Sequence, residues 1–387
     1  MATSVQTKSR EIEINCPANP PKVKLDCFSW REMILNKERW EELAHSVAEP
    51  NPFYESWYLL PSLESFDVRE GVSILRFAHQ GKLCGLMPIV RQSQYGGWPL
   101  AHIGNWLHPN IFFGTPLVAS GVEDLFWRAL LDWADANAGL SLFLHLDEIA
   151  LTGPVYESMS SVLAADGREW GIVERKERAL LAPDLDAEAY LAESLSARNR
   201  KDLNRRTRKL SELGEIDFKW ETGSEGLVQW IDDFLTLEES GWKGKAGSAL
   251  NCDAATRTLF QESLMGAANR GRLVRLALRS NGKPIAMLST FLTPPGAFGF
   301  KTAFDEDYAR FAPGLLLERE FLNAPHRFDM GWCDSCAAPD HSLMNRIWRE
   351  RRPLGRVSIA IGGSLRRATF SRLLRKEIAG QKIGSEA

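Results

Sequence analysis

The sequence has no hydrophobic run long enough to cross a membrane, no dense cysteine framework and no excess of one charge. Its 387 residues include six scattered cysteines and carry a formal net charge of -3. The missing apolar run excludes a helical membrane span, and the cysteine spacing favours a reducing compartment. The balanced charge gives no global reason for binding nucleic acid or an anionic membrane. We therefore expect a cytoplasmic protein without membrane insertion.

Two familiar catalytic or metal-binding patterns are also missing. No Gly-x-Ser-x-Gly elbow joins a strand to a helix, which argues against a Ser-His-Asp hydrolase. Cys333 and Cys336 form one Cys-x-x-Cys pair, and no second pair lies at a spacing that would complete a zinc site. We therefore predict no metal cofactor.

The length of the chain and the order of its elements indicate two α/β units. A chain of this length is longer than a single hydrophobic core usually organises, so two domains are expected. Each half has helices, then strands around a hairpin turn, then a helix and further strands; the turns are Gln80–Lys82 and Asn281–Lys283. Two of the predicted strands are Phe298–Phe304 and His326–Met330. The predicted parts are a flexible leader at 1–21, an N-terminal unit at 22–185, a C-terminal unit at 186–365 and a polar tail at 366–387.

The most informative segment is the predicted helix start at Pro313 and Gly314. Proline suits the first helical position because it has no N–H to leave unpaired, and glycine lets a ligand approach the backbone. Such a start offers free N–H groups and a partial positive charge to a phosphate. Arg310, one short turn earlier, is placed to contact the same anion. An ordinary turn before a core helix is the alternative, and the neighbouring motifs decide between the two.

Several motifs surround this helix start in a fixed order. They are Ser196–Leu203, Ser240–Lys245, Gly282–Ala286, Lys301–Asp305, Pro313–Leu317 and Phe328–Gly331, with Glu49–Tyr54 and Phe113–Leu117 in the first half. In this order they resemble the GNAT-fold acyltransferases of the CelD or BioF2-like group. The resemblance implies an α/β fold of two tandem GNAT-like units, each a mixed, mostly antiparallel sheet flanked by helices. It also implies an acyl-CoA co-substrate and kinship with Fem-type transferases.

The sequence departs from the usual GNAT pattern at the phosphate loop. GNAT enzymes carry Gln/Arg-x-x-Gly-x-Gly/Ala, whereas Arg310 is followed by Phe-Ala-Pro-Gly, with one glycine. The first half has no comparable loop after 101–117. We therefore expect the N-terminal unit to be degenerate and non-catalytic, shaping the cleft for the acceptor.

Candidate catalytic groups lie on and after the strand Phe298–Phe304, where the resemblance places the backbone N–H that polarises the thioester. Lys301 either steadies the oxyanion or the acceptor, or is an ordinary surface lysine. Asp305 and His341 are candidate bases, and a purely structural histidine is the alternative for His341. Tyr308 is a candidate acid toward the leaving thiolate, or a packing residue.

Candidate binding residues form two groups. The predicted cofactor-binding residues are Arg310, Pro313, Gly314, Leu315 and Leu316. The predicted acceptor-binding residues are Trp242, Lys243 and Lys245, which lie in a basic, glycine-rich loop. The alternative for this loop is a solvated linker without a binding role. A strongly basic helix within Leu195–Leu213 is either a solvated face, the usual meaning of a charge run, or the site of a phosphate-bearing ligand, whether CoA, an acceptor or RNA; its charge density suggests the ligand.

The predicted function is the acyl-CoA-dependent transfer of an acyl group to an amino or hydroxyl acceptor, a small molecule or a saccharide. By resemblance, this reaction serves polysaccharide or cell-envelope synthesis. The alternatives are a Fem-type transferase that uses aminoacyl-tRNA, and a non-catalytic scaffold with two degenerate units. Neither the acceptor nor the acyl chain length nor the oligomeric state follows from the sequence.

Overall fold

The structure is a computed structural model that describes residues 23–33, 37–67 and 71–384; the leader predicted at 1–21 lies outside them. Thirteen strands form one sheet. They are β1 (Val23–Ser29), β2 (Val72–His79), β3 (Lys82–Gln92), β4 (His102–Asn105), β5 (Leu117–Val118), β6 (Phe143–Ala150), β7 (Trp170–Leu181), β8 (Ile216–Thr222), β9 (Leu273–Ser280), β10 (Lys283–Thr293), β11 (Gly296–Phe304), β12 (Trp332–Asp334) and β13 (Glu350–Ala360).

Helices flank this sheet. They are α1 (Trp30–Met33), α2 (Lys37–Ala44), α3 (Ser56–Phe66), α4 (Glu123–Ala136), α5 (Pro154–Ala165), α6 (Ala187–Ser194), α7 (Ala197–Ser211), α8 (Leu227–Ser240), α9 (Trp242–Lys245), α10 (Ala254–Ala268), α11 (Pro313–Phe321), α12 (Ala324–Phe328), α13 (Ser342–Ile347) and α14 (Ser364–Gly384). Among the described residues, no helix combines the length and the apolar character that a membrane crossing needs.

The order of the strands is symmetrical about the centre of the sheet. It runs β1-β2-β3-β4-β6-β13-β7-β12-β11-β10-β9-β8, with β5 beside β3. At each end four strands run antiparallel. The fourth strand then pairs in parallel with the next one inward, β4 with β6 and β11 with β12. The two halves of the chain therefore repeat one strand order, as two units of one fold require.

The two central strands are exchanged between the halves. β7, from the first half, pairs with β12 of the second, and β13, from the second half, pairs with β6 of the first. β7 and β13 also pair with each other, from Leu180↔Glu350 to Trp170↔Ile359. Each half therefore completes the sheet of the other, and the boundary between 185 and 186 stays a prediction.

Two segments differ from the predicted secondary structure. The predicted strand His326–Met330 lies mostly in α12, because Pro325 sits in its first turn and Asp329, with φ 51°, ends it in the left-handed region. The predicted polar tail at 366–387 contains α14, which buries Phe370 in a cluster with β6, β7 and β13. The predicted tail is therefore largely a packed helix.

The largest apolar core is shared by both halves. Phe53, just before α3, packs edge-on against Phe298 of β11, with ring centroids 5.7 Å apart. In the same cluster Tyr58 of α3 packs against Phe291 of β10 at 5.8 Å. Fully buried aromatic side chains each stabilise a fold by about 1.5–3 kcal/mol. This core fixes the first half against the strands that form the candidate site.

Candidate active site

The site begins where two parallel strands separate. β11 and β12 pair only from Gly296↔Trp332 to Phe298↔Asp334, and β11 then continues alone to Phe304. The register of β10 and β11 shifts at the same point, so that Phe300 is an extra, bulged residue. Bulges redirect side chains and often lie beside active sites. The result is a wedge whose edge is the backbone of β11.

The wedge opens into a cavity of about 380 Å³. Its walls come from β10, β11, α9, α11, α13 and the loop after β12, and Phe112 from the first half closes one side. Of the predicted site residues it brings together Trp242, Lys243, Lys301, Gly314 and His341. Both halves of the chain therefore build one cleft.

Lys301 is the central polar group of this cleft. Its Nζ donates to Asn110 Oδ1 of the first half at 2.7 Å and lies 5.2 and 5.5 Å from the rings of Phe112 and Phe300. Burial, together with the nearby Lys243, lowers the pKa of Lys301 to about 8. Lys301 therefore titrates close to neutral pH, which a solvated surface lysine does not do.

Helix α11 begins at Pro313 as predicted, with a residue in the left-handed region before it. Ala312 has φ 54°, and its carbonyl accepts from the N–H groups of both Leu315 and Leu316. Proline has no N–H, so Gly314 keeps the one first-turn N–H without a partner in the described part of the chain. The helix start therefore offers an anion one free N–H rather than several.

Gly314 lines the cleft in an ordinary helical conformation. A Cβ added there would meet Leu343 at 3.6 Å and Phe304 at 3.9 Å, which are normal contacts. Gly314→Ala should therefore fold and gain up to about 1 kcal/mol of stability from helix propensity. If a ligand approaches this backbone, the variant should also bind CoA more weakly.

Thermal melts with and without CoA measure both effects in one experiment. Gly380→Ala is the matched control, because Gly380 lies in α14 with nothing within 4 Å of its added Cβ. An unchanged CoA-induced shift in Gly314→Ala would show that the ligand does not approach α11 here.

Five of the other predicted residues lie outside the cleft wall. Asp305 caps the short 3₁₀ turn Glu306–Phe311, accepting from the Asp307 N–H at 3.0 Å. Tyr308 packs beside Phe311. Leu315 and Leu316 are buried in the apolar core, and Pro313 is buried at the start of α11.

Arg310 opens onto a separate basic groove of about 350 Å³. The groove is lined by Arg205, Arg206, Lys209, Glu212, Leu213, Arg310 and Phe311. Arg206 of α7 donates to the Arg310 carbonyl at 2.7 Å, so this helix is tied to the segment before α11. The groove carries four cationic side chains, three from α7 and Arg310, which lies three residues before the start of α11.

The segment predicted as a loop, Trp242–Gly247, forms α9 in its first part. A Cβ at Gly244 would lie 1.7 Å from the Glu239 carbonyl oxygen, so glycine lets this turn pack on the end of α8. Lys243 pairs with the buried Glu238 at 2.7 Å. Trp242 is 58% exposed at the cleft mouth.

Lys245 and His341 make different contacts around this mouth. Lys245 pairs with Glu306 at 2.7 Å and does not line the cleft. His341 lines it, while its Nδ1 caps α13 by accepting from the Met344 N–H at 3.2 Å. A capping Nδ1 leaves Nε2 to carry the proton of the neutral ring, with the tautomer inferred from this bond.

The structure adds two polar residues that the sequence did not single out. Glu318 lies one turn after Gly314 on α11, and Ser289 lies on β10; both are buried and line the cleft. Glu318 Oε2 and Ser289 Oγ have no hydrogen-bond partner in the described residues. Burial raises the pKa of Glu318 to about 8, so at pH 7 the carboxyl is mostly protonated. A carboxyl directly after the apolar run Leu315–Leu317, four residues after Gly314, was the available signal.

A buried ion cluster holds the loop that closes the cleft. Asp334, fully buried at the end of β12, pairs with Arg178 of β7 at 2.6 Å and with Arg352 of β13 at 3.0 Å. Its Oδ1 also accepts from the Cys336 N–H at 2.9 Å. The exchanged strands therefore supply the charges that position Ser335–Ala337 at the cleft wall.

Cys333 and Cys336 are free thiols, and Cys333 is buried beside Asp334. Burial raises the pKa of both thiols well above the usual range. Within residues 23–33, 37–67 and 71–384, no cluster of three or more His, Cys, Asp or Glu side chains is suited to hold a metal ion.

Comparisons with known proteins agree with this architecture. Residues 197–340 match the family described as acetyltransferase (GNAT) domain. The crystal structure of FemX is similar at 10% identity, over 84% of this chain and 96% of that one, with a TM-score of 0.53. A conserved protein of unknown function from Bacteroides thetaiotaomicron VPI-5482 is similar at 10% identity, over 84% and 97%, with a TM-score of 0.52.

No curated protein matches the sequence. At 10% identity the structural likenesses establish the fold alone. The repeated strand order and the matched region give the same result. The chain has an α/β GNAT fold in two units that share one mixed sheet, and its residues 197–340 match a GNAT acetyltransferase domain.

Proposed function

We propose that this protein is an acyltransferase that moves an acyl group from CoA to an amino or hydroxyl acceptor in the cleft at β11. The observation that carries this proposal is Lys301, held by Asn110 beside the open edge of β11 and titrating near pH 8. The match of residues 197–340 to an acetyltransferase (GNAT) domain supports the same chemistry.

In this reaction the acceptor nitrogen or oxygen attacks the thioester carbonyl carbon. A C–N or C–O bond forms, the C–S bond breaks, the acceptor loses one proton, and the CoA sulfur leaves as a thiolate that takes up one proton, so that the products are the amide or ester and the CoA thiol. Negative charge develops on the carbonyl oxygen in the transition state, and donors aimed at it are the largest source of rate. Protonated Lys301 and a β11 N–H supply these donors.

We place the phosphates of CoA between α11 and the basic groove. Gly314 offers its free N–H and the positive end of the helix, and Arg310 stands three residues earlier among Arg205, Arg206 and Lys209. Arginine and lysine are the usual partners of phosphate oxygens. The sequence-predicted grip by Arg310 is therefore retained as a proposal, through the groove rather than the cleft.

The acceptor enters past Trp242 and Lys243 at the mouth. An exposed indole and a cation suit an anionic or sugar-like molecule. A role in polysaccharide or envelope synthesis, and membership of the CelD or BioF2-like group, rest on the motifs named above.

We further propose that the N-terminal unit binds no CoA. Its counterpart of α11, helix α4, starts with Glu123 and Asp124, whose charges repel phosphate. Its counterpart of the wedge is filled by Asn105, whose side chain bonds both the N–H and the carbonyl of Asp147 on β6. This unit instead contributes Asn110 and Phe112 to the cleft of the other.

Release of CoA thiol from acetyl-CoA and longer acyl-CoAs, measured with amine and hydroxyl acceptors, tests the proposal. The expected result is that release of CoA thiol depends on the acceptor. Mass spectrometry of any ligand that co-purifies with the protein selects the first pairs of acyl donor and acceptor to test. Absence of release with every pair, together with absence of acyl-CoA binding, would contradict it. Turnover of any acyl donor would exclude a non-catalytic scaffold.

A second candidate is a Fem-type transferase that uses aminoacyl-tRNA. The observation that favours it is the exposed basic face of α7, including Arg198, Lys201 and Arg205. Gel shifts with charged tRNA at several salt concentrations test it, since phosphate contacts make binding strongly salt-dependent. Salt-insensitive or absent binding would rule this candidate out.

A further inference from the structure

Three large apolar side chains project from the protein with almost no neighbours around them. Leu140 is 93% exposed, Leu365 is 86% exposed and Trp98 is 71% exposed, the three highest values for large apolar residues in the described part of the chain. Single exposed apolar residues are ordinary on a protein surface, whereas a group of them indicates a contact surface. What these three residues mean therefore depends on whether they lie together.

The strand register places all three residues at one edge of the sheet. The end of β3 pairs with the start of β4, the start of β4 pairs with the start of β6, and the start of β6 pairs with the end of β13. Trp98 lies in the turn between β3 and β4, Leu140 lies in the turn before β6, and Leu365 lies in the first turn of α14, which follows β13. The three side chains therefore leave the sheet at the same edge.

Helix α14 joins these turns into one surface. Arg366 of α14 donates to the backbone carbonyl directly before Leu140 at 2.8 Å. Three turns later, Glu377 of α14 accepts from the hydroxyl of Tyr95 at 2.5 Å, in the turn that carries Trp98. The two contacts lie about 17 Å apart along the helix axis. The three apolar tips and the outer face of α14 between them therefore form a single surface, the rim.

The rim is cationic between its apolar tips. Arg91 and Arg366 donate to backbone carbonyls of the turn that ends at Leu140, and Arg372 and Lys376 are exposed on α14. None of these four cations has a carboxylate partner within residues 23–33, 37–67 and 71–384. Their charges are therefore available to an anionic partner.

The acids near the rim do not cancel this charge. Asp135 already pairs with Arg168 at 2.8 Å and with Arg367 at 2.7 Å. Glu377 accepts from the Tyr95 hydroxyl. The exposed Asp132 of α4 reduces the excess of positive charge without removing it. The rim therefore combines apolar tips with a local positive charge that the balanced charge of the whole chain conceals.

We propose that the rim docks the protein on the surface of an anionic lipid bilayer, independently of the function proposed above. Trp98 and the two leucines enter the boundary between headgroups and acyl chains, where indole rings and apolar tips are favoured. The four cations lie against the phosphates of the lipids. This docking needs no helix that crosses the bilayer.

A protein partner fits the rim less well than a bilayer does. The centre of a protein interface is a continuous, shape-matched patch that is depleted of charged residues. Here the apolar tips come from three separate turns, and arginines stand between them. A fluid bilayer accepts separate tips without a matching shape, and its phosphates take the arginines.

Vesicle flotation with the full-length protein tests this docking. One vesicle is phosphatidylcholine alone, and the other also contains phosphatidylglycerol. Wild type should float with the anionic vesicles, and added salt should weaken the binding. Leu140→Ser combined with Leu365→Ser should weaken it about 100-fold, roughly tenfold for each leucine. Val228→Ser is the control, because Val228 is 63% exposed on α8 in the other half of the chain.

The charge of the rim has a separate test in the same assay. Arg372→Gln and Lys376→Gln should each weaken binding to the anionic vesicles about fivefold. All these positions are exposed, so melting temperatures should stay unchanged and confirm that the variants fold.

Three results would overturn the docking. They are no flotation of wild type, equal flotation with both kinds of vesicle, and equal flotation of wild type and the double leucine variant, which would place the lipid contact elsewhere. Sedimentation velocity tests the other occupant, a second copy of the chain. A dimer that dissociates in the double leucine variant, without lipid binding by wild type, would assign the rim to that copy.

Discussion

Lys301→Met should lower kcat/KM for acyl transfer by about 10²–10³-fold, the usual cost of removing one oxyanion donor. Methionine keeps most of the side-chain volume against Phe112 and Phe300, so the fold should survive. The loss should lie mainly in kcat, because the charge on the carbonyl oxygen develops only in the transition state. Lys283→Met, at an exposed position outside the cleft, is the control.

The pH profile of wild-type kcat/KM shows whether Lys301 acts in its charged or in its neutral form. Burial and the nearby Lys243 lower its pKa to about 8, so it is charged at pH 7 and loses its proton as the pH rises through 8. A donor to the oxyanion must be charged. We therefore expect kcat/KM to fall about tenfold per pH unit above pH 8. A rise through pH 8 would mean that neutral Lys301 acts as a base, and would contradict the oxyanion assignment.

Asp334→Asn should strongly destabilise the folded protein. It leaves Arg178, 4% exposed, and Arg352, 12% exposed, without their shared counter-charge. Breaking a buried ion pair from one side costs about 3–5 kcal/mol. Urea unfolding followed by circular dichroism measures the free energy of unfolding directly.

The control for this prediction is Asp217→Asn. Asp217 pairs with Arg279 at 2.6 Å with both side chains about a third exposed, and exposed pairs contribute at most about 1 kcal/mol. Equal losses in the two variants would contradict the role given to the buried cluster. Loss of the Asp334 charge in Asp334→Asn should also disorder Ser335–Ala337 and weaken ligand binding in the cleft.

The contribution of Asp334 to stability also has a defined pH dependence. Burial raises the pKa of this carboxyl, but Arg178 and Arg352 outweigh it and hold the pKa below the ordinary 3.8. A depressed pKa in the folded state means that the unfolded chain binds protons first as the pH falls. The contribution is therefore complete above about pH 4 and is lost as the pH falls through the depressed value.

Local chemistry made part of the fold predictable. Proline is favoured in the first turn of a helix, which placed the start of α11 at Pro313. Asn281 and Gly282, with φ of 51° and 77°, adopt the left-handed turn that their sequence predicts. Both signals act over a few residues and need no knowledge of the rest of the chain. The strand predicted at His326–Met330 is wrong because Pro325 favours the first turn of a helix there.

Long-range pairing was the part that the sequence did not reveal. The apolar pattern of β13 does not show whether its neighbouring strands come from its own half of the chain or from the other half. Its insertion between β6 and β7 therefore could not be predicted from the sequence. The same holds for the site. Lys301 was recognised from its strand, but its partner Asn110 stands 191 residues away and becomes a neighbour only through the shared core.

Burial likewise decides which polar residues face the cleft. Glu318 begins the charged part of α11, Glu318–Glu320, where acidic side chains normally point to solvent. The structure instead buries it beside the cavity, and desolvation raises its pKa. Asp305, which looked equally reactive in the sequence, forms a backbone cap.

Titration of free CoA into wild type and Gly314→Glu tests the central claim most directly. The account predicts one CoA bound per chain by wild type and binding lost in Gly314→Glu, because the added carboxylate enters the cleft beside the one free N–H of α11. Gly380→Ala should bind CoA as wild type does. An absence of CoA binding by wild type, or equal binding by Gly314→Glu, would contradict the assignment of this cleft.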